Sequence, residues 1–203
     1  IVGSLFIVPF ALPRIFKALK TNQLHDRQKG VGSIKLFAAV ILAGCLLSFG
    51  SSLQQSGMRY TTAGNAGFIT GLYVVLVPFI LAVVFRQKIK PVMWLAALLA
   101  TVGLYLLSLG DKLHVNLGDY FVLMGTIFWA LHVILIGWIV KHMDFLIFAC
   151  GQYLASGIAS FTLGFLFEKQ GFAGILSLWH LIILMGILTI GIGFTLQAYG
   201  QRT

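Results

Sequence analysis

The 203-residue chain is 59% hydrophobic and 9% charged, and its 14 Lys and Arg against 5 Asp and Glu give a net charge of +9. Soluble domains carry about 25% charged residues, so this composition excludes a soluble globular domain and points to a chain whose solvent is lipid. The basic residues flank apolar runs and form no polar face of their own, which argues against nucleic acid as a partner.

In chain order, residues 1–12 are apolar but too short to cross a bilayer, and no basic segment precedes them as a signal peptide requires. They read as the second half of a helix cut by the start of a fragment, just as Thr203 cuts the chain shortly after its last motif. Six runs then approach the ~20 residues that span the hydrocarbon core: 36–53, 66–85, 92–109, 120–140, 145–167 and 175–199. The polar stretch 20–35 is a basic loop, and the other connections are short, so successive helices should pack as antiparallel neighbours in one membrane domain. Pro78 removes a backbone hydrogen bond inside the second run and should bend that helix.

Basic residues sort by loop. Arg14, Lys17, Lys20, Arg27, Lys29 and Lys35 surround the first; Arg86, Lys88 and Lys90 fill the third; Lys141 and Arg202 follow the fifth and the last runs. The alternate loops hold Arg59, Lys112 and Lys169. Eleven against three is the positive-inside pattern and places the first loop in the cytoplasm. Lipid offers no hydrophobic force between helices, so stripes of small residues should hold them together: Ala63, Gly67 and Gly71; Ser156, Ser160 and Gly164; and, more weakly, Ala96 and Ala100. Cys45 and Cys150 lie in apolar runs without ligand spacing and read as inert core residues.

The segment FGSSLQQSGMR at 49–59 returns as IGFTLQAYGQR at 192–202, with Gly50, Leu53, Gln54, Gly57 and Arg59 recurring as Gly193, Leu196, Gln197, Gly200 and Arg202. An odd number of helices separates the copies, which puts them at opposite membrane faces. That is the signature of an inverted-topology repeat, an architecture of secondary transporters.

LQQSGMRYTTAGNAGFITGLYVVLVPFILAVVF, the following WLAALLATVGLYLLSLGD, GDYFVLMGTIFWALHVI from Gly118 and GFTLQAYGQR from Gly193 together resemble the EamA branch of the drug/metabolite transporter superfamily. The resemblance covers nearly the whole chain. It implies an all-α polytopic bundle of ten helices in two inverted five-helix repeats, of which this chain would supply the second to the eighth. The first repeat would occupy 1–110 and the second 118–203. It also implies a multi-pass protein of a bacterial cytoplasmic membrane and favours export over uptake. The chain departs from the family where the fourth helix meets the following cytoplasmic loop: members often carry an acid there, and FRQKIKP has Arg86, Gln87 and Lys88.

Asp26, Asp111, Asp119, Asp144 and Glu168 all fall in loops or at helix ends, which removes proton-relay carboxylates and paired-acid enzyme chemistry. His25, His114, His132, His142 and His180 share no metal-ligand spacing, so neither a metal nor a cofactor is expected. His132 is singled out because it lies mid-helix one turn from Trp129. It reads either as part of a solute pathway or as a neutral histidine bonded to a neighbouring helix. Gln54 and Gln197 form a symmetric pair in the repeated motif, beside Gln55, and serve either as pathway or as interhelical hydrogen-bonding groups. Asn65 and Tyr73, eight residues apart, should share a helix face, with Thr70 between them; Gln152 and Tyr153 add polarity at depth, Tyr153 alternatively as an interfacial anchor.

Aromatic rings with neutral amides suit a zwitterionic or amphipathic solute, the rings receiving an ammonium group. The first substrate class is therefore amino acids and related metabolites, with membrane lipid as the surrounding partner and a homodimer compatible with the sequence. No GxxxxGK loop is present, so transport should draw on a solute gradient, exchange or protons. The competing readings are a passive channel or facilitator, an importer, and a non-transporting membrane scaffold.

Overall fold

A backbone in hydrocarbon must satisfy its own N–H and C=O groups, and a helix does so within one segment. In the computed structural model, which describes residues 2–20, 32–108, 116–167 and 177–201, every regular element is helical. These are α1 (Val2–Lys20), α2 (Ser33–Gly57), α3 (Ala63–Gly71), α4 (Tyr73–Val83), α5 (Pro91–Ser108), α6 (Leu117–Ile139), α7 (Phe145–Phe167), α8 (Trp179–Met185), a π-helical stretch Gly186–Phe194, and α9 (Thr195–Gly200). Among the described residues, five stretches are long and apolar enough to cross a membrane: Ser33–Gly57, Ala63–Val83, Leu117–Ile139, Phe145–Phe167 and Trp179–Gly200. Pro91–Gly103 is a shorter apolar helix. The chain is thus a multi-pass helical membrane protein. His25, Asp26, Arg27, Lys29, Asp111, Lys112, His114, Glu168, Lys169 and Arg202 lie outside the described residues.

Three boundaries differ from the sequence expectation. The N-terminal helix does not stop near Leu12 but continues through Pro9 and Pro13 to Lys20. The two prolines are four residues apart, so the hydrogen bonds they forfeit lie on one side of the helix and the other side remains continuous. Pro78 lies inside α4, and the interruption in this run falls at Leu72, which separates α3 from α4. There Leu72 N–H donates to Ile69 O at 3.2 Å and Val75 N–H to Leu72 O at 2.9 Å, a tightened turn just ahead of Val74, whose carbonyl the Pro78 ring crowds. Finally, the last run is not uniformly α-helical but contains the π-helical stretch. At the end of α4 the chain turns through Arg86 at φ 53°, a left-handed conformation, while Phe85 N–H reaches Ile80 O and Gln87 N–H reaches Leu81 O.

The chain divides into two compact units. Within Leu46–Ile134, α2 and α6 meet at four glycines. A Cβ added to Gly57 would lie 2.6 Å from Gly118 O and 2.7 Å from Val122 Cγ2, and one added to Gly125 would lie 2.8 Å from Gly50 O. One added to Gly118 would collide with Gly57 O. Gly50 and Gly57 are seven residues apart, as are Gly118 and Gly125, so each pair stays on one helix face over two turns and the antiparallel backbones touch.

The stripe expected from Ala63, Gly67 and Gly71 does not make such a contact. Ala63 and Gly67 are exposed, and a Cβ at Gly67 would meet nothing within 4 Å. On α5 the buried small residue is Ala97, one position from the expected Ala96. Spacing alone fixed the period of these stripes and not their azimuth.

The other unit comprises Ile1–Cys45 with Leu135–Thr203. Its core gathers Ala39, Val40, Ala43, Ile136, Ile139, Val140, Phe148 and Ala198. A Cβ on Gly44 would lie 2.7 Å from Gln152 O and 2.8 Å from Ser156 N, so Ser156 of the second expected stripe does sit at a close helix crossing, while Ser160 is exposed. Asp144 caps α7 by accepting from Leu146 N–H at 2.9 Å, and its other oxygen receives Arg14 Nη1 at 2.8 Å. The Arg14 guanidinium also lies 5.3 Å from the Phe145 ring centroid, and Phe145 meets Tyr199 edge-on at 5.3 Å.

In the full-length protein, Gly57→Ala is expected to cost about 1–3 kcal/mol because rigid backbone must move to admit the methyl group. Gly67→Ala, facing open space, should be neutral or stabilising by up to about 1 kcal/mol through helix propensity. Unfolding of both variants in mixed micelles checks the contrast; equal effects would show that the α2–α6 glycines do not set the packing.

Candidate functional site

The Leu46–Ile134 unit holds a set of buried polar groups where α2, α3 and α6 converge. Close approach of α2 and α6 at Gly50 and Gly125 brings the last turns of α2 against the first half of α6. From α2, Gln54 Nε2 donates to Thr70 Oγ1 on α3 at 2.8 Å. From α6, Thr126 Oγ1 lies 2.8 Å from Val122 O in its own helix and 3.2 Å from Ile69 O, the residue before Thr70. A single hydroxyl proton is shared between those two carbonyls. Gln54, Thr70 and Thr126 therefore occupy one neighbourhood, at the level of Gly125.

Trp129 stands one turn further along α6. Its indole occupies the room that Gly50 leaves: a Cβ there would collide with Cδ1 and lie 2.6 Å from Nε1. His132, one more turn on, is wholly buried at 0% exposure and shares with Trp129 the face of α6 that carries Gly125. A side chain this polar and this buried in an apolar helix carries a large desolvation cost and needs hydrogen-bonding surroundings.

Asn65 enters from the start of α3. Its backbone N–H donates to the Thr62 hydroxyl at 3.1 Å, the N-cap of that helix, and this fixes the first turn. The side chain is 4% exposed, and its Oδ1 is buried with no hydrogen-bond donor among the described residues. Tyr73 opens α4 and is half-buried. Asn65 and Tyr73 lie on either side of the Leu72 turn, Asn65 in the first turn of α3 and Tyr73 at the start of α4.

Asp119, a 7%-exposed carboxylate at the start of α6, is fully occupied. It accepts from Thr61 Oγ1 and from Asn116 N–H at 2.9 Å, while Asn116 Oδ1 accepts from Asp119 N–H at 3.1 Å. This reciprocal pair is a capping box and accounts for the buried charge without a solute.

The other unit holds Gln152, Tyr153 and Gln197. Gln152 and Tyr153 are buried, and the Tyr153 hydroxyl pairs with Thr195 Oγ1 at 3.1 Å. Tyr153 at 2% exposure is therefore no interfacial anchor; its ring points into protein rather than toward headgroups. Gln197 is half-buried on α9, two residues beyond Thr195. The symmetric pair Gln54 and Gln197 thus falls one in each unit. Gln55 is exposed and takes no part in the set.

Sequence reasoning missed Thr126 and Thr195. Thr126 was legible as a hydroxyl one turn before Trp129, whereas Thr195, two residues before Gln197, lies on the opposite side of its helix; a threonine within an apolar run gives no charge or ring to single it out.

The sequence profile of the EamA-like transporter family matches residues 1–109 and again residues 116–203. The chain belongs to the EamA-like transporter family. It is 39% identical over 87 residues to a protein of Archaeoglobus fulgidus described as an uncharacterized transporter. That alignment covers 43% of this chain and 28% of the relative, so the chain matches under a third of that protein's length.

The Gln54–Thr70 bond predicts a measurable coupling in the full-length transporter. A double-mutant cycle of Gln54→Ala and Thr70→Ala should return about 0.6 kcal/mol, the usual size of an interhelical hydrogen bond in lipid. Additive single effects, read from unfolding in mixed micelles, would show that the two side chains act independently.

Proposed function

We propose that this transporter exports a small amine-bearing metabolite of the amino-acid class across a bacterial cytoplasmic membrane. It works by alternating access between two inverted repeats, 1–110 and 118–203, and the solute passes the neutral polar set around Gln54, Asn65, Trp129 and His132. The observation that carries the reading is Asn65 Oδ1, a buried carbonyl acceptor for which the described residues supply no donor. In hydrocarbon such a group costs several kcal/mol unless a ligand or water meets it.

Donor and acceptor counts favour an ammonium-bearing solute. Gln54 spends a donor on Thr70, leaving its Oε1 to accept, and Asn65 Oδ1 also accepts. The indole face of Trp129 attracts a cation, and the half-buried Tyr73 ring adds a second aromatic surface. Both described carboxylates of α6 and α7, Asp119 and Asp144, serve as helix caps, so proton coupling through a carboxylate is not supported and His132 is the titratable group placed deep in a span. The export direction is supported by the family resemblance and by no feature of the site.

Metabolite profiling of spent medium tests the proposal. Cells expressing the complete gene should accumulate one amine-bearing solute class outside, relative to empty-vector cells. Asn65→Ala and His132→Ala, at equal membrane levels, should lower that accumulation about tenfold or more. Accumulation unchanged in both variants would remove the polar set from the path. No difference between wild type and empty vector would overturn export, and uptake of the same solutes without saturation would identify a facilitator.

A further inference from the structure

The π-helical stretch Gly186–Phe194 separates two short helices that are held very differently. Downstream, α9 is anchored on α7: Thr195 pairs with the buried Tyr153 hydroxyl at 3.1 Å, Ala198 enters the core beside Phe148, and Tyr199 meets the Phe145 ring. Upstream, α8 has no buried residue at all. The π-helical stretch itself rests on α1 through glycine. A Cβ on Gly186 would lie 2.6 Å from Val2 Cγ1, one on Gly191 would lie 2.7 Å from Phe6 Cδ1, and one on Gly3 would lie 2.5 Å from Ile190 Cγ2 and 3.1 Å from Gly186 O.

That contact is made in π register. Bonding from i to i+5 stacks Gly191 near Gly186, so both glycines, with Ile190 beside them, face Val2, Gly3 and Phe6 of α1. In an α-helix of 3.6 residues per turn, a five-residue step rotates by about 140°, and the two glycines would face different neighbours. The interface with α1 therefore stabilises a hydrogen-bonding register that is otherwise rare and is found mostly as single turns.

We propose that Gly186–Phe194 is a switch between π and α register that swivels α8. Losing one residue of register rotates one side of the stretch against the other by about 100°, the angular step of an α-helical residue. Because α9 is fixed by Tyr153, Phe148 and Phe145 while α8 buries nothing, the rotation is taken up by Trp179–Met185. It turns Gly186 away from Val2 and leaves Thr195 and Gln197 in place. Two discrete arrangements of one packed element are what a conformational cycle in a transporter requires. The switch is independent of which solute is carried.

Two readouts on the full-length protein in lipid nanodiscs, without added solute, test this. Amides of 186–194 should exchange with deuterium about tenfold faster than those of the α7 interior around Phe148 and Tyr153, because the register change opens their bonds. In a background of Cys45→Ala and Cys150→Ala, spin labels at Ile183→Cys and Phe161→Cys should give two distance populations. Gly3→Ala and Gly191→Ala act from opposite sides of the contact and disfavour only the π register, so each should collapse the distances to one population and slow the exchange. Wild-type protein with a single distance, and with exchange at 186–194 no faster than in α7, overturns the switch even if both variants fail to fold. These outcomes stand apart from the solute-export test, which can fail without changing either readout.

Discussion

Where Gly57 meets Gly118 and Gly125 meets Gly50, α2 and α6 come into backbone contact, and the placement of Gln54, Thr126 and Trp129 depends on that distance. In lipid an apolar side chain is as well solvated outside a bundle as inside it, so helices are held by close packing. Glycine gives the closest packing available. A larger side chain at any of these positions would push the helices apart, separate Gln54 from the Thr70 and Thr126 neighbourhood, and deny Trp129 the space beside Gly50. The other unit repeats the device at Gly44 against α7 and at Gly3 against the π-helical stretch.

Close helix contact also determines which polar groups the chain can carry. Thr126 shares its proton between carbonyls of two helices, and Asp119 is enclosed by Thr61 and Asn116, so these side chains are satisfied by the geometry that brings the helices together. Asn65 Oδ1 differs from these two, being buried without a donor among the described residues. A carbonyl already satisfied by protein has nothing further to offer a donor, whereas Asn65 Oδ1 keeps its acceptor capacity.

Hydrophobic length was the clearest signal in the sequence. The run 145–167 coincides with α7, and the runs at 36–53 and 120–140 lie within α2 and across most of α6, because the demand for about 20 apolar residues leaves little freedom in where a span begins or ends. Azimuth was far less legible. Gly67 and Gly50 look alike in sequence, yet one faces open space and the other receives Trp129, since a membrane helix is apolar all round and carries no polar face to mark its outside. Interruptions in helical register were least legible: the Leu72 turn falls ahead of Pro78, and nothing in GILTIGIGF beyond its glycines marks a π-helix. Candidate residues were found where they were chemically unusual, as His132 and Trp129 are, and missed where the group was a threonine.

The ion pair between Arg14 and Asp144 has a consequence for how the chain is made. These residues stand 130 positions apart, so during synthesis the Arg14 charge emerges long before its partner exists. Until then the guanidinium is an unpaired positive charge beside an apolar run, the kind of charge that biases how a helix enters a bilayer. Only when α7 arrives does Asp144 neutralise it, with the Phe145 ring over its face. The same side chain is thus a free charge in the nascent chain and a clamp in the folded one, two states separated in time.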